Sequence, residues 1–563
     1  MEFYLDESPE KRKIAYFSLE IGIKPEIPTY SGGLGILAGD TIKTFADQGI
    51  PVVAVTLIYD KGYFHQEIEN GDQKEVEVNW EKEKHMELLP SRINLKLEGR
   101  DIIIQAWVYY VEGISGKVVP IIFLDSDVEQ NNEDDRRLTS YLYGGDRRYR
   151  LLQEAILGIG GVRMLQTLGH SGIEKYHMNE GHAALLTLEL MNRSEKDLDE
   201  VREKCVFTTH TPVPAGHDSF DIELTKNVLK DFYNIDSLNH SDIIDKENKL
   251  NMTYLALHHS HYVNGVAQKH GEVSSKMFPG YSIESITNGV HAATWASKEM
   301  GELLDKYIPP WRKDQYTIRY AMRIPEEEIW KTHQIAKKKL LEYVKEKTGV
   351  HMHENVFTIG FARRAATYKR GNLIFSDRKR LIDIYNKVGK FQIIFGGKAH
   401  PNDGGGKEII KDIWNNIQEL KGKIDIVYLE NYEMFLGKLL TSGVDIWLNN
   451  PLRPREASGT SGMKAAINGV PHFSVLDGWW IEGHVEDFTG WSIGPRPSHV
   501  EEENNQEEDI KDLYDKLEKK ILPAYYKNPD KWKEIMRNCI AFNGSFFNTH
   551  RMISQYITNA YFK

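Results

Sequence analysis

The fold class that the sequence predicts is α/β, with two doubly wound lobes that face a central cleft. Short apolar runs rich in β-branched residues alternate with helix-like stretches, which is typical of sheets built from strand–helix–strand units. This alternation occurs twice along the chain, and a mostly charged, helix-like segment (296–354) lies between the two series. The length of 563 residues is sufficient for two to four domains.

The predicted organisation has three parts. Residues 1–295 form the N-terminal α/β lobe, residues 296–545 form the C-terminal α/β lobe, and residues 546–563 form a C-terminal helix that could cross back to the N-terminal lobe. In the first lobe, a segment of alternating apolar and charged residues (62–111) indicates an antiparallel insertion, and residues 146–169 indicate a long helix. Buried strands are predicted at IAYFSLE (14–20), PVVAVTLIY (51–59) and VVPIIFLD (118–125).

The second lobe is predicted to contain a parallel sheet, because its strands and helices alternate with short links. We expect the ligand site at the carboxyl ends of these strands, where Arg363–Arg364, Gly396–Gly397, Tyr432 and Glu456 stand. The acidic run 501–512 is predicted to be a mobile loop or a helix start, and two or three helices finish the chain. The predicted strands cover residues 356–364, 391–397, 424–430, 444–450 and 471–478.

Composition limits the function classes. The net charge of −11 argues against nucleic acid as the main partner but allows a neutral polymer. Cys205 and Cys539 are the two cysteines, so neither a disulfide framework nor a thiolate zinc site is indicated. The N-terminus lacks the apolar core of a signal peptide, and no apolar run approaches the roughly 18 residues of a membrane span. We therefore expect a cytoplasmic protein without a membrane partner.

The stretch EASGTSGMK (456–464) carries the strongest chemical signal. It follows the apolar strand 444–450, and Thr460 is predicted to open a helix that contains Lys464. Free amides at a helix N-terminus bind anions, so the amides of residues 460–462 suit a phosphate. Lys464 lies about one turn deeper, which suits a cofactor with a phosphate at one end and an aldehyde at the other. A solvated helix lysine is the alternative.

Two further segments indicate anion binding. Gly33, Gly35 and Ala38 match a GxGxxA pattern, but IPTYS (27–31) intervenes where the dinucleotide fingerprint requires a strand. We expect a flexible glycine loop whose amides approach an anion, with a plain tight turn as the alternative. In FARRAATYKR, Arg364 and Lys369 just past a strand end could hold a phosphate dianion; a solvated basic helix start is the alternative.

Two other kinds of site, a P-loop and a catalytic metal site, are not indicated by the sequence. GGKAHPNDGGGK (396–407) is not a P-loop, because Glu408 stands where Ser or Thr is required. The histidines at 258, 259 and 261 do not share one helix face, and His210 and His217 lack zincin spacing. We therefore predict no catalytic metal.

Several motifs then resemble one family, the α-glucan phosphorylases, and occur in the family's order. EASGTSGMK closely resembles the pyridoxal-phosphate lysine motif of that family. The resemblance is nearly continuous from about residue 200 to 490 and patchy before residue 170, and the chain looks like the short bacterial or archaeal type. The other matching segments are SGGLGILAG, FARRAATYKR, GGKAHP, VYLENYEMFLGK, FTTHTPVP, ITNGV and VNGVAQKH.

The resemblance implies roles for individual residues. Arg364 and Lys369 would bind the reacting phosphate, His210 would contact the transferred glucose, and Glu456 would hydrogen-bond its hydroxyls. The implied cofactor-binding residues are Lys464, Thr460, Ser461, Gly462 and Tyr432. The implied substrate-binding residues are Gly33, Leu34, Gly35, Asn288, Ser458 and Gly459.

The chain also departs from the family pattern in three places. Glu433 stands where many members carry an arginine that helps to bind the cofactor phosphate. Ser461–Gly462 replaces Gly–Asn, and Glu180 replaces an aspartate. The first two departures leave part of the predicted phosphate cradle in doubt.

The implied fold is two Rossmann-like lobes in the GT-B glycosyltransferase architecture. The implied reaction is retaining phosphorolysis of α-1,4-glucans such as glycogen, starch and maltodextrin to α-D-glucose 1-phosphate, with pyridoxal 5′-phosphate as cofactor. The partners are then glucan and inorganic phosphate, and a homodimer is compatible. About a dozen residues precede IAYFSLE, so we expect no allosteric control by the N-terminal extension of animal members. The rivals are a nucleotide-sugar-dependent glycosyltransferase and a non-catalytic glucan-binding protein.

Overall fold

The computed structural model describes residues 8–238, 242–497 and 506–562. These residues form a mixed α/β protein with two large sheets of parallel strands, which confirms the predicted class. The predicted acidic loop or helix start at 501–512 lies in part outside the described residues, and its described portion is helical.

Nineteen strands are present in the described residues, and thirteen of them precede residue 290. The first group is β1 (Ile14–Ser18), β2 (Val52–Leu57), β3 (Phe64–Glu69), β4 (Asp72–Glu77), β5 (Glu87–Leu97), β6 (Arg100–Glu112), β7 (Val118–Asp125), β8 (Lys175–Asn179), β9 (Cys205–Thr208), β10 (Ser219–Asp221), β11 (Lys249–Asn251), β12 (Tyr262–Gly265) and β13 (Glu284–Ser285). The second group is β14 (Phe357–Ala362), β15 (Phe391–Gly396), β16 (Ile426–Leu429), β17 (Ile446–Asn449), β18 (His472–Val475) and β19 (Gly490–Ile493).

The helices surround both sheets. Those before residue 300 are α1 (Gly33–Gln48), α2 (Glu133–Arg136), α3 (Arg147–Ala155), α4 (Gly161–Thr167), α5 (Leu186–Arg193), α6 (Leu198–Lys204), α7 (Ile222–Leu229), α8 (Met252–His258), α9 (Gln268–Met277) and α10 (Ala292–Trp295). The later ones are α11 (Lys298–Tyr307), α12 (Glu326–Thr348), α13 (Arg378–Lys387), α14 (Gly404–Leu420), α15 (Met434–Gly443), α16 (Ser461–Ile467), α17 (Trp480–Gly483), α18 (Gln506–Lys516), α19 (Leu522–Lys527), α20 (Pro529–Asn538) and α21 (Thr549–Tyr556). None of the described helices is both long and apolar enough to cross a membrane.

The N-terminal sheet has nine strands in the order β13-β12-β9-β8-β1-β2-β7-β6-β5. The strands from β13 to β7 are parallel, and β6 and β5 extend the edge as an antiparallel pair. A separate antiparallel hairpin, β3–β4, lies outside the sheet. The segment 62–111 is therefore antiparallel, as its alternating pattern predicts. Central strands such as β1 and β2 are buried along their whole length, which is why they appear as continuous apolar runs.

The C-terminal sheet has six parallel strands in the order β16-β15-β14-β17-β18-β19. In chain order this is 3-2-1-4-5-6, so the winding direction reverses between β14 and β17. Ligands of doubly wound sheets bind at the carboxyl ends of the strands beside this reversal. The fold therefore places one site just after Ala362 and Asn449, the last residues of β14 and β17.

Two predicted elements differ from the structure. The glycine segment is not a loop before a helix, because α1 begins at Gly33 and includes Leu34 and Gly35 in its first turn. Close packing explains Gly35, because a Cβ at this position would lie 2.7 Å from Tyr30. The predicted helix at 146–169 is interrupted by a π-helical turn, Ile156–Gly160, between α3 and α4.

The C-terminal helix α21 packs against the N-terminal lobe. Tyr556 and the following Tyr561 belong to the same apolar cluster as Tyr16 and Phe45 of the first lobe. His177 of β8 hydrogen-bonds the Tyr561 hydroxyl at 2.6 Å. The last described helix thus joins the lobe that the beginning of the chain builds, whereas the domain boundaries remain a prediction.

Candidate active site

The residues that follow β14 and β17 converge at the reversal of the C-terminal sheet. Lys369 Nζ donates a hydrogen bond of 2.7 Å to Glu456 Oε2, and Arg363 Nη2 donates to the same oxygen. The three side chains are about nine-tenths buried. The structure therefore brings predicted residues Lys369 and Glu456 together and adds Arg363 to them.

The electrostatics of this cluster are dominated by its two cations. Burial by itself would raise the pKa of Glu456, but the charges of Arg363 and Lys369 overcome it and lower that pKa to about 2. Glu456 is consequently ionised at neutral pH. Its backbone amide donates to Asp477 Oδ2 at 2.8 Å, which fixes the segment after β17 in place.

Arg363 also has N–H groups that remain available to a ligand. Its Nε and Nη1 atoms are buried, and neither has a hydrogen-bond partner in the described part of the chain. A buried guanidinium with unsatisfied N–H groups is costly unless an anion accepts from it. These atoms therefore indicate an anion site beside Glu456 and Lys369.

Arg364, which the sequence analysis preferred over Arg363, takes a different position. Its side chain is exposed, and it is electrostatically coupled to Tyr63 of the other lobe. The structure does not place it in the ion-paired cluster. Alternation along an extended chain sends neighbouring side chains to opposite sides, so one of the two arginines faces Glu456 and the other faces the cleft. The sequence signal for Arg363 was therefore that two arginines stand side by side, so that either one could face Glu456.

Helix α16 begins next to this cluster. Its first backbone N–H groups receive no side-chain cap from Thr460. Ser461 Oγ accepts a hydrogen bond of 3.0 Å from Trp447 Nε1, which orients the first turn. A Cβ on Gly462 would lie 2.8 Å from both His472 and Trp479, so only glycine fits there without movement. The start of α16 thus offers backbone donors in a tightly packed surrounding.

Lys464 is buried one turn into α16, with 6% of the residue exposed. Its Nζ lies 3.5 Å from the centre of the Trp295 ring, which belongs to helix α10. Burial lowers the pKa of Lys464 to about 8, against the opposing charge of Asp40. An appreciable neutral fraction is what a lysine needs to react with an aldehyde. The alternative of a solvated helix lysine is therefore wrong.

Tyr432 and Glu433 follow β16 at the same sheet edge. Burial raises the pKa of Tyr432 to about 12, although the nearby Arg363 opposes this shift. Glu433 accepts from the backbone N–H of Phe435 at 3.0 Å and of Leu436 at 3.3 Å, so it caps helix α15. The carboxylate that replaces the family arginine is thus bound to its own helix.

On the N-terminal lobe, His210 is held from two sides. Its backbone N–H donates to Glu180 Oε2 at 2.7 Å, and its Nε2 lies 2.7 Å from Asn179 Oδ1. Burial lowers the pKa of His210 to about 3, so the ring is neutral at physiological pH. His210 is therefore suited to hydrogen bonding with an uncharged group.

Asn288 lies on the same lobe and is 4% exposed. Its Oδ1 atom is buried and has no hydrogen-bond partner among the described residues. Its carbonyl accepts 2.8 Å from Arg551 Nη2 of α21, and Arg551 also donates to the carbonyl of Thr287. The C-terminal helix thus holds the backbone around an amide group that still lacks a partner.

The glycine segment already binds an anionic group of the chain itself. Glu20 Oε2 accepts from the backbone N–H groups of Ser31 and Gly32, the latter at 3.3 Å. A Cβ on Gly35 would lie 2.9 Å from the same carboxylate oxygen, whereas a Cβ on Gly33 would meet no atom within 4 Å. The amides of Ser31 and Gly32 thus have a carboxylate of the chain as acceptor, and substrate binding at Gly33, Leu34 and Gly35 stays a prediction.

Ser458 and Gly459 lie between Glu456 and α16. Ser458 is buried, and its hydroxyl donates to the Gly459 carbonyl at 3.1 Å. Gly459 has a φ of 73°, a left-handed conformation that favours glycine. The turn therefore depends on this glycine, and the two residues stay next to Glu456.

These observations fit a cofactor with a phosphate and an aldehyde. The amine of Lys464 is buried with a lowered pKa, the start of α16 supplies backbone donors, and Arg363 supplies unsatisfied N–H groups. The donor set suits pyridoxal 5′-phosphate, since Lys464 lies about one helical turn beyond the backbone donors at the start of α16.

Comparison with known proteins agrees with this chemistry. A family model described as carbohydrate phosphorylase matches residues 24–99 and 174–520. A maltodextrin phosphorylase of Thermococcus litoralis is 40% identical over 98% of this chain and 70% of the relative. A glycogen phosphorylase of Aquifex aeolicus is 34% identical over 99% of this chain and 87% of the relative. An uncharacterized protein of Methanocaldococcus jannaschii is 30% identical, with 97% and 99% covered.

Proposed function

We propose an α-glucan phosphorylase activity for this chain, which belongs to the carbohydrate phosphorylase family. The reaction is the reversible, retaining phosphorolysis of α-1,4-glucans to α-D-glucose 1-phosphate. In this proposal the two sheets are the lobes of a GT-B glycosyltransferase architecture. The substrates are a neutral glucan and inorganic phosphate.

One observation carries the proposal: buried cations lie at the reversal of the C-terminal sheet, and the helix that follows this segment carries a buried lysine amine. Arg363 and Lys369 share Glu456, Arg363 keeps two N–H groups without partners, and Lys464 lies on the adjacent helix. Such a group of cations can hold phosphate groups close to one another. A plain sugar-binding protein has no need for it.

The residues that would hold pyridoxal phosphate are Lys464 for the aldehyde and Thr460, Ser461 and Gly462 with Arg363 for the phosphate. When bound, the cofactor supplies a second phosphate group whose pKa near 6 suits proton exchange at neutral pH. Glu433 takes no part, because it caps α15. Because Gly462 is tightly packed, the backbone of residues 460–462 that would hold the phosphate has little room to move.

The chain's own residues would divide the remaining work. Lys369 and Arg364 bind the substrate phosphate and offset the repulsion between two phosphate groups. Glu456 is ionised. When phosphate groups bind, Arg363 and Lys369 pair with them, and Glu456 is then free to accept hydrogen bonds from sugar hydroxyls. His210 is neutral, and with Asn288 it orients the glucose unit without adding charge.

The proposed bond changes balance without a protein nucleophile. Substrate phosphate gives its proton to the glycosidic oxygen, the bond from the anomeric carbon to that oxygen breaks, and a phosphate oxygen bonds to the carbon from the same face. The shortened glucan leaves as an alcohol. Ordinary retaining glycosidases instead use two carboxylates about 5 Å apart.

The test is an assay of the purified full-length protein with maltodextrin and inorganic phosphate. We expect glucose 1-phosphate to form, and we expect an absorbance band of lysine-bound pyridoxal in the same preparation. Full phosphorolysis by protein without pyridoxal would contradict the cofactor assignment. Turnover of a nucleotide sugar without phosphorolysis would favour the glycosyltransferase rival, and glucan binding without either reaction would favour the binding protein.

A further inference from the structure

Three titratable side chains from distant parts of the chain meet where helix α1, the start of α10 and helix α21 come together. Asp47 lies at the end of α1, His291 directly precedes α10, and His550 lies in the first turn of α21. One ligand atom from each lies within 4.8 Å of the others. We propose that these residues form a binding site for a divalent transition metal ion, Zn²⁺ being the best match.

The distances suit a tetrahedral ion. His291 Nε2 lies 2.8 Å and His550 Nε2 lies 3.5 Å from Asp47 Oδ2. Ligands bonded to Zn²⁺ at about 2.1 Å in a tetrahedron are separated by about 3.4 Å. The observed spacing therefore needs only small side-chain movements to admit an ion, and water could complete the fourth position.

The surrounding hydrogen bonds leave the ligand atoms available. His291 Nδ1 lies 2.7 Å from Thr294 Oγ1, so donation to that hydroxyl leaves a lone pair on Nε2. Asp47 Oδ1 accepts from the backbone N–H of Ile114 at 2.9 Å, which leaves Oδ2 facing the two imidazoles. Metal-binding histidines and carboxylates are commonly oriented by such outer hydrogen bonds.

His550 supplies the independent observation. The residue is 2% exposed, and its Nε2 is buried without a hydrogen-bond partner in the described parts of the chain. The alternative is a hydrogen-bonded His–Asp–His cluster without an ion. That cluster accounts for His291 at 2.8 Å, but at 3.5 Å it leaves His550 poorly satisfied, whereas an ion engages both rings.

The local charge allows a cation. Asp40 and Asp47 are close to the amine of Lys43, and both carboxylates act to raise its pKa, although burial lowers it overall. Lys43 Nζ donates to Thr294 Oγ1 at 3.2 Å and does not occupy the space between the imidazoles. Asp40 also acts on the amine of Lys464, so Asp47 is the carboxylate that supplies negative charge to the two imidazoles. Two imidazoles and one carboxylate favour zinc or cobalt over magnesium or calcium.

An ion here would be structural. It would tie helix α1, the chain after the Asn288 segment and helix α21 to one point, and would thus stabilise the docking of α21. Its role does not depend on the proposed reaction.

The test uses full-length protein freed of metal with a chelator and then titrated with Zn²⁺ or Co²⁺. We expect one ion per chain by calorimetry, a rise in melting temperature with Zn²⁺, and visible d–d bands of tetrahedral Co²⁺. Asp47→Asn and His550→Ala should each remove the d–d bands and the rise in melting temperature. His351→Ala, at an exposed histidine that lies 5.0 Å from the His353 ring, is the matched control and should change neither.

The outcomes separate the alternatives. Absence of binding by wild-type protein at micromolar free Zn²⁺ would overturn the proposal and leave the hydrogen-bonded cluster. Binding that survives both Asp47→Asn and His550→Ala would place the ion elsewhere and overturn it as well. If one variant fails to fold without metal, the Co²⁺ spectrum of wild-type protein still decides between tetrahedral coordination and none.

Discussion

The two walls of the cleft differ in the charge that they carry. The C-terminal wall presents buried cations, Arg363 and Lys369, together with the amine of Lys464. The N-terminal wall presents His210, which is neutral, and Asn288, whose amide oxygen lacks a partner. A dianion and an uncharged sugar need different surroundings, so under the proposed function we expect phosphate at the C-terminal wall and glucose at the N-terminal wall.

Both walls keep their groups in place before any ligand binds. Glu456 accepts from the cations of one wall, and Glu20 accepts from the glycine segment of the other. Under the proposed function, each carboxylate stands where an anion or a sugar hydroxyl would bind. The comparison therefore predicts that substitutions on the C-terminal wall lower phosphorolysis, cofactor binding or stability, and the expected losses are given below from the largest to the smallest.

The largest effect is expected for Lys464→Ala. Removal of the buried amine should abolish both the pyridoxal absorbance band and phosphorolysis, because the cofactor loses its attachment. Lys379→Ala, at an exposed lysine of α13, is the control and should retain both. An active, pyridoxal-containing Lys464→Ala protein would break the assignment of this wall.

Glu456→Gln should lower the free energy of unfolding at pH 7 by about 3 kcal/mol, since a carboxyl pKa lowered from 4.5 to about 2 stabilises the folded state by that order. The sign follows from the lowered pKa: this contribution is present above pH 4.5 and is lost as pH falls through 2. Urea unfolding of wild type between pH 6 and 3 should show a steeper loss than Glu456→Gln. Equal pH dependence would show that the cations do not act on Glu456.

Lys369→Ala should reduce kcat/KM for phosphate by the equivalent of at least ~2 kcal/mol, the scale for one lost electrostatic stabiliser. The KM for glucan should change less, because the sugar is assigned to the opposite wall. Initial-rate kinetics with each substrate varied in turn would measure both. An unchanged rate would remove Lys369 from the phosphate site.

The smallest effect is expected for Glu433→Ala. Loss of the cap should cost about 1 kcal/mol of stability, because two backbone N–H groups of α15 lose their acceptor. Phosphorolysis at 25 °C should remain at the wild-type rate. A large loss of activity without a loss of stability would mean that Glu433 belongs to the phosphate cradle after all.

The sequence predicts the C-terminal sheet well, since five of its six strands are continuous apolar runs between turn signals. It misses β19 (Gly490–Ile493), because four residues that include a glycine give too short a pattern, and pairing with β18 stabilises them. In the N-terminal lobe the glycines suggested a loop, whereas in the structure Gly35 lies inside α1, where its contact with Tyr30 and Glu20 leaves no room for a side chain.

The candidate site was predicted in part for a similar reason. Motif order located Lys369, Glu456 and Lys464, whose neighbourhood follows from consecutive strand ends. The choice between Arg363 and Arg364 depends on the direction of each side chain, and the contact of Lys464 with Trp295 depends on the packing of α10 against α16. Neither the side-chain direction nor this tertiary contact can be read from the order of residues in the sequence.

Arg551 lies a dozen residues before the last described position, yet it holds the carbonyls of Thr287 and Asn288. During translation, nearly the whole second lobe leaves the ribosome before this guanidinium does. While the chain is being made, the carbonyls of Thr287 and Asn288 therefore lack this donor until Arg551 emerges. Helix α21 thus couples the backbone at Asn288 to a segment that is synthesised more than 260 residues later.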